Sequence, residues 1–432
     1  MRSRTRIVLA VGAAVLLLVL AVAVVTRNNA QQSVAPPTTG PTGPPPTLPG
    51  GASAFDLRRP FAPEVAWNRP VSELGRSTEY AEYAERFWKY SNYGAWNDPT
   101  QRDDIYIQFR DYSTPIYDAR TATGTKRAYF ADFGYPPEPG YSIEIPWNES
   151  WREANGSDAM ILMANPDTGE HWVVWAYQRN NPSTCLGLAN LASGFTPFSD
   201  ICVGGASKLV NEDGTVADYR TWNSTQNGRG MGIPKLALVT TPYEVRAGVI
   251  EHALEMTVFN TMFGPPCDAA QMATDAAGST CGFYVPPATR IEWFDKAPTD
   301  CGANNQPSTP AYRQKTVPEG MRFALDVSDE EIEAWLTERG YAEPLRSTAR
   351  VFAVALRDYG WVIAETGCYG TSIEVDGMVN PDAKAIWESL GVVDTPEAGS
   401  MLRGLFTQDR IYVVNPSQPF PSIHPTNPGL RR

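Results

Sequence analysis

The side chains that could do chemistry in this chain are one histidine and a few carboxylates. His252 lies in IEHALEMTV; read as a strand, that segment puts Ile250, His252, Leu254, Met256 and Val258 on one face and sends Glu251 and Glu255 to the other, solvated face. An imidazole titrates near neutral pH and can act as acid or base there. The plainer reading is a core histidine with a hydrogen-bond partner. Glu244 precedes the strand in a short helical turn, TPYEVRAG, and Glu365 ends a strand before Thr-Gly. Two carboxylates ~5–10 Å apart serve a glycosidase, one protonating the leaving oxygen and the other activating water or attacking the sugar. Their plainer roles are a helix N-terminal charge for Glu244 and a surface or Arg-paired carboxylate for Glu365. Arg322, between Met321 and Phe323, suits a substrate carboxylate or hydroxyl, or an ion pair with Glu365. His252, Glu365 and Glu244 are therefore the catalytic candidates, and Arg322, Trp172 and Trp175 the substrate-binding ones. Trp172 and Trp175 lie on opposite strand faces, so at most one faces a core. Trp147, Trp151 and Trp222 are further candidates for stacking on sugar rings, each weighed against ordinary packing.

Other chemistries lack their residues. No GxSxG elbow, P-loop or helix-opening GxGxxG occurs, and three histidines leave little for a Ser-His-Asp triad. No cysteine pair has CxxC spacing, so neither a metal nor another cofactor is expected. NEDGT at 211–215 reads as a hairpin turn ahead of a weak Ca²⁺ loop.

The elements that must position these residues can be read from periodicity. Residues 71 to 91 predict one helix with Tyr80, Tyr83, Phe87 and Tyr90 on roughly one face. Alternation at Ile105, Ile107 and Phe109, and again at Tyr141, Ile143 and Ile145, predicts strands. NPDTG (165–169) between apolar runs predicts a hairpin, and residues 179–230 read as long loops. Further on, Ser328 to Glu331 is a capping box opening a helix, 347–359 a second helix ending at Gly360, Trp361–Glu365 a strand, 381–389 a third helix and 407–416 a closing strand. The expected class is α+β, mostly β: a β-sandwich or jelly-roll-like core with a few peripheral helices.

The chain opens with MRSRTR and then Ile7 to Val25, 19 residues without charge. At 1.5 Å per residue such a helix spans ~28 Å, close to the hydrocarbon core, and the preceding arginines put the N-terminus inside. The alternative is a cleaved signal peptide, whose apolar run is usually ~7–15 residues and ends at small residues. Residues 1–26 are thus read as a signal-anchor, 27–55 as a Pro/Thr/Gly-rich spacer and 56–432 as an extracytoplasmic β-rich domain, single-pass at the cell membrane with the bilayer as one partner. Net charge is −12, with no basic run beyond the N-terminus, which argues against nucleic acid as a partner. All six cysteines lie in the exported part: Cys185, Cys202, Cys267, Cys281, Cys301 and Cys368. Three disulfides are expected, with local pairs Cys185–Cys202 and Cys267–Cys281 leaving Cys301 for Cys368.

GIPKLALVTTPYEVRAGVIEHALEMTV (232–258) resembles a secreted, largely actinobacterial family of unassigned function with a GLPLLPGLVRYDEVAAGxIxHALRFTV-like motif. SDAMILMANPDTGEHWVVWAYQ, VPEGMRFALDVS and VFAVALRDYGWVIAETG resemble further stretches of that family in the same order. The resemblance implies an extracellular carbohydrate-active or cell-surface β-protein. His252 and Arg322 match the family's histidine and arginine, and Glu365 stands where it has aspartate. Met160 and Val173 replace a histidine and an acidic residue, which weighs toward binding without catalysis, or catalysis by other groups. The function expected is action on, or binding of, an envelope or environmental polysaccharide: a glycoside hydrolase or lyase, against a non-catalytic binding protein.

Overall fold

The computed structural model describes residues 65–130, 142–168, 170–181, 185, 200–203, 205–209, 230–292, 307–367 and 370–417. The expected anchor and spacer, Trp222, the 211–215 turn, Cys301 and Cys368 lie outside the described residues. Among the described residues no helix is long and apolar enough to cross a membrane. The chain divides into the units Met1–Ala54 and Phe55–Arg432, and every element below belongs to the second.

In chain order the strands are β1 (Tyr106–Gln108), β2 (Ile116–Asp118), β3 (Gly124–Phe130), β4 (Ser142–Trp147), β5 (Ile161–Ala164), β6 (His171–Trp175) and β7 (Asp200–Val203). They continue with β8 (Gly205–Leu209), β9 (Leu254–Val258), β10 (Arg322–Leu325), β11 (Trp361–Thr366), β12 (Ser372–Glu374) and β13 (Ile411–Val413). Six of them form a sheet in the order β1-β12-β9-β11-β10-β13, four a sheet β2-β5-β6-β8 and three a sheet β4-β3-β7. The class is α+β. The sheets are open and mixed: β1 with β12, β9 with β11, β2 with β5 and β3 with β7 run parallel.

The two smaller sheets share a core. Ile161, Met163, Trp172 and Val174 from one meet Ala128, Phe130, Ile145, Trp147, Ile201 and Val203 from the other. Leu162, Ala164 and Val173, alternate residues of the same strands, belong instead to the main core, as the period-two geometry of a strand requires. The β5–β6 hairpin forms around the expected turn, with Ala164 opposite His171 and Asp167 N donating to Asn165 Oδ1 at 3.0 Å. Both local disulfides, Cys185–Cys202 and Cys267–Cys281, are present.

The helix expected over 71–91 is broken into α1 (Val71–Leu74) and α2 (Glu82–Tyr90). Gly75, at φ 78°, turns the chain out of the helix. Ser77 N then donates to Val413 O at 2.8 Å and Asn415 N to Gly75 O at 2.9 Å, so strand-like pairing beside β13 replaces helical bonds. Two more helices position the site: α3 (Tyr93–Asn97) follows α2, and α4 (Pro242–Ala247) precedes β9. The C-terminal helices α5 (Asp329–Arg339), α6 (Leu345–Asp358) and α7 (Pro381–Ser389) lie where the sequence puts them. In the capping box of α5, Ser328 N donates to Glu331 Oε2 at 2.8 Å and Glu331 N to Ser328 Oγ at 3.2 Å. After α6, Gly360 (φ 66°) reverses the chain straight into β11, where a Cβ would lie 1.9 Å from Phe323 O.

Candidate functional site

Strand register assembles a polar row that single-strand reading does not reveal. On β9, Glu255 and Thr257 share a face. Thr257 stands opposite Ser372 of antiparallel β12 and opposite Glu365 of parallel β11, after an irregularity that skips Ala364. Gln108 of β1 stands opposite Glu374. Gln108, Glu374, Ser372, Glu255, Thr257 and Glu365 therefore line one face of the central sheet. The expectation that Glu255 is solvated is corrected: it is fully buried. Lys235, also buried, accounts for this, since a charge removed from water needs a paired countercharge. Its ammonium contacts Glu374 Oε2 at 2.5 Å and Glu255 Oε1 at 3.4 Å. Thr114 Oγ1 donates to Glu374 Oε2 at 3.0 Å, and the Thr257 and Ser372 hydroxyls bond at 2.7 Å.

At the C-terminal ends of β9 and β11 the row meets a second group of acids. Glu365 is half-buried there, close enough to half-buried Glu292 for their charges to interact. Buried Glu319 lies close enough to Glu292 for the Glu292 charge to favour its protonated form. Glu292 N also donates to Glu319 Oε2 at 3.0 Å, Thr261 Oγ1 to Glu319 Oε1 at 3.2 Å and Thr366 N to Glu292 Oε2 at 3.1 Å. Burial first, and the Glu365 charge second, push Glu292 up to about 7. Burial, and then Glu292, hold Glu319 well above the usual carboxylate range. Gly320 makes this geometry possible: at φ 79°, a Cβ there would lie 1.6 Å from Val285 O. Gly320→Ala is expected to destabilise the fold by more than about 2 kcal/mol in urea titration; a cost under about 0.5 kcal/mol would show that the backbone relaxes freely.

The sequence candidates divide between the two ends of the sheet. Leu254 stands opposite Trp361 and Thr257 opposite Glu365, so Glu365 lies roughly 10 Å of strand beyond the start of β9, while His252 precedes that start. His252 and Glu244 meet each other, with Nε2 to Oε1 at 3.1 Å, both buried. The His252 Nδ1 donates to Ala253 O at 2.8 Å. Both ring nitrogens thus face acceptors, which suits the doubly protonated ring. Burial opposes that charge, but Glu244 and the Ala253 carbonyl outweigh it and the pKa lies above the ordinary value. Glu244 also closes the capping box of α4, its Oε2 accepting from Thr241 N at 2.8 Å and Thr241 Oγ1 at 2.9 Å. The pair is a closed structural contact, separate from Glu365.

Arg322 is buried and bonds backbone carbonyls: Nε to Tyr359 O at 2.7 Å, Nη1 to Ala66 O at 3.1 Å and Nη2 to Arg69 O at 2.7 Å. It clamps the 66–69 segment onto the sheet. Trp172 is buried between the two smaller sheets, and half-buried Trp175 packs against the main core. Trp147 and Trp151 are buried too, as are Met160 and Val173. Sequence reading missed Glu292, Glu319, Lys235 and Glu374. A lone lysine inside the apolar run GIPKLALV was the available signal for Lys235, and Pro-Glu-Gly before a strand the signal for Glu319. Among the described residues no group of three or more His, Cys, Asp and Glu has metal-binding geometry.

The raised groups set the pH dependence of stability. Glu292, Glu319, His252 and buried Asp376, also raised by burial, all hold protons more tightly in the folded state. Their contribution is full below their unfolded values and is lost as pH rises through the folded ones, about 7 for Glu292. Carboxylates with lowered values, such as exposed Asp98 and Asp409 and partly exposed Glu333, offset this little. The melting temperature is expected to rise as pH falls from 8 to 5.5, followed by circular dichroism; a fall over that interval contradicts the assignment.

Comparison with family models, with curated proteins and with solved structures returns no match for this chain.

Proposed function

We propose that this chain is an exported glycoside hydrolase acting on polysaccharide of the cell envelope or its surroundings, with Glu292 as proton donor and Glu365 as its ionised partner. The observation that carries the reading is the Glu292–Glu319–Glu365 group at the ends of two parallel strands, where open sheets commonly place ligands. Two neighbouring carboxyls, one of them raised by its burial, can divide acid and base roles. Glu319, buried and accepting from Glu292 N, positions the donor. The reading drops the His252–Glu244 pair from the catalytic set. The uncharged Ile7–Val25 segment and the two disulfides support a place at the outer face of the membrane.

The test is incubation of the detergent-solubilised full-length protein with arabinogalactan, other envelope glycans and plant polysaccharides, measuring new reducing ends. Release from at least one glycan is expected. Retained binding with no release from any would replace the hydrolase with a non-catalytic binding protein.

A further inference from the structure

An aromatic cluster stands at the same end of the central sheet as Glu365. Phe259 directly follows β9, one residue past Val258, which pairs with Thr366. Thr261, two residues further, bonds both Glu319 and Thr366. Phe259 is buried, and the rings of Tyr93 and Trp96 pack edgewise on it with centroids at 5.3 and 5.7 Å. Trp96 is in turn stacked on Tyr312, 6.3 Å away at 7°. The support is fixed to the strand ends: Phe259 N donates to Ser91 O at 2.7 Å, and Thr371 Oγ1, beside the first residue of β12, donates to the same oxygen at 2.9 Å. The Asn92 side chain caps α3, accepting from Ala95 N at 2.9 Å. On this rigid base Tyr93 as a residue remains 38% exposed, among the few large apolar residues so placed in the described residues.

We propose that Tyr93 is a sugar-stacking subsite, holding a ring of the polysaccharide at the same end of the central sheet as the carboxyl group, with Phe259 as its backing and Trp96 behind Phe259. A rigid, partly exposed aromatic ring beside carboxyls suits a glycan, whose pyranose rings present an apolar C–H face together with polar hydroxyl edges. The inference rests on the glycan reading above and names where the chain lies relative to the acids.

Binding to the glycan panel is measured by affinity electrophoresis of the full-length protein, alongside reducing-end release. Tyr93→Ala is expected to weaken binding about three- to ten-fold, raising KM with kcat unchanged, while Tyr93→Phe stays within about two-fold. Should the alanine variant lose its circular dichroism signature, Tyr93→Gln gives the same readout. Unchanged binding in the Ala or Gln variant overturns the subsite while leaving hydrolysis standing. Weakened binding without release by the wild type supports the subsite and removes the hydrolase. Failure of the wild type to bind any panel member overturns the subsite.

Discussion

Glu292→Gln is expected to lower kcat on a natural polysaccharide by about 10²–10⁴-fold, the usual contribution of a positioned proton donor. The fold should survive, because a glutamine oxygen can still accept from Thr366 N, and the bond to the Glu319 carboxyl uses only the main-chain N–H of residue 292. An aryl glycoside with an acidic leaving group needs little protonation, so the variant should retain most of its rate there. The donor must be protonated, so the wild-type rate should fall as pH rises past about 7, where Glu292 loses its proton. Glu365→Gln removes a negative charge that raises Glu292, and carbon-13 NMR of the Glu292 carboxyl should then show its titration displaced to lower pH. A Glu292→Gln enzyme within about three-fold of wild type on the polysaccharide would exclude Glu292 as the acid.

Local signals were legible in the sequence wherever structure is set by neighbours along the chain. The capping box at Ser328, the hairpin at Asn165, the glycine stop at Gly360 and both local disulfides formed as their residue types require. The long helix over 71–91 did not form as one element, since Gly75 and pairing to β13 belong to tertiary structure. Glu365 was legible as a strand-end carboxylate. Its partners were not, because Glu292, Glu319 and Glu365 come from distant segments that tertiary pairing brings together, β10 with β11 and Val285 N with Glu319 O among the links. The face of Glu255 was assigned correctly but its surroundings were not: periodicity says which residues share a side, and Lys235, 20 residues earlier, decides what covers it. His252 follows the same logic. It was separated from Glu365 by the register, which runs Glu365 to the far end of β9.

Lys235→Met tests that cover. Removing the ammonium takes from Glu255 and Glu374, both buried on neighbouring strands, the cation that they share. Breaking a buried ion pair from one side costs about 3–5 kcal/mol, a large share of the stability of an ordinary domain. The loss should show as a lower urea midpoint with an unchanged slope. It should shrink in acid. Acid neutralises buried carboxylates, and a neutral carboxyl needs no countercharge. Adding Glu374→Gln to Lys235→Met should recover part of the cost at pH 7, because it removes the acid that lies nearest the ammonium. Full replacement of the three by apolar residues of matching volume should come out near neutral, as buried ion pairs generally do against well-packed apolar substitutes. A Lys235→Met cost under about 1 kcal/mol at pH 7 would mean that water or rearrangement solvates the two acids, and that the polar face is open along its length. A cost of the expected size, with recovery in the double variant, makes Lys235 the lid on one half of the polar face. Access would then be confined to the end where Glu365 and Glu292 lie.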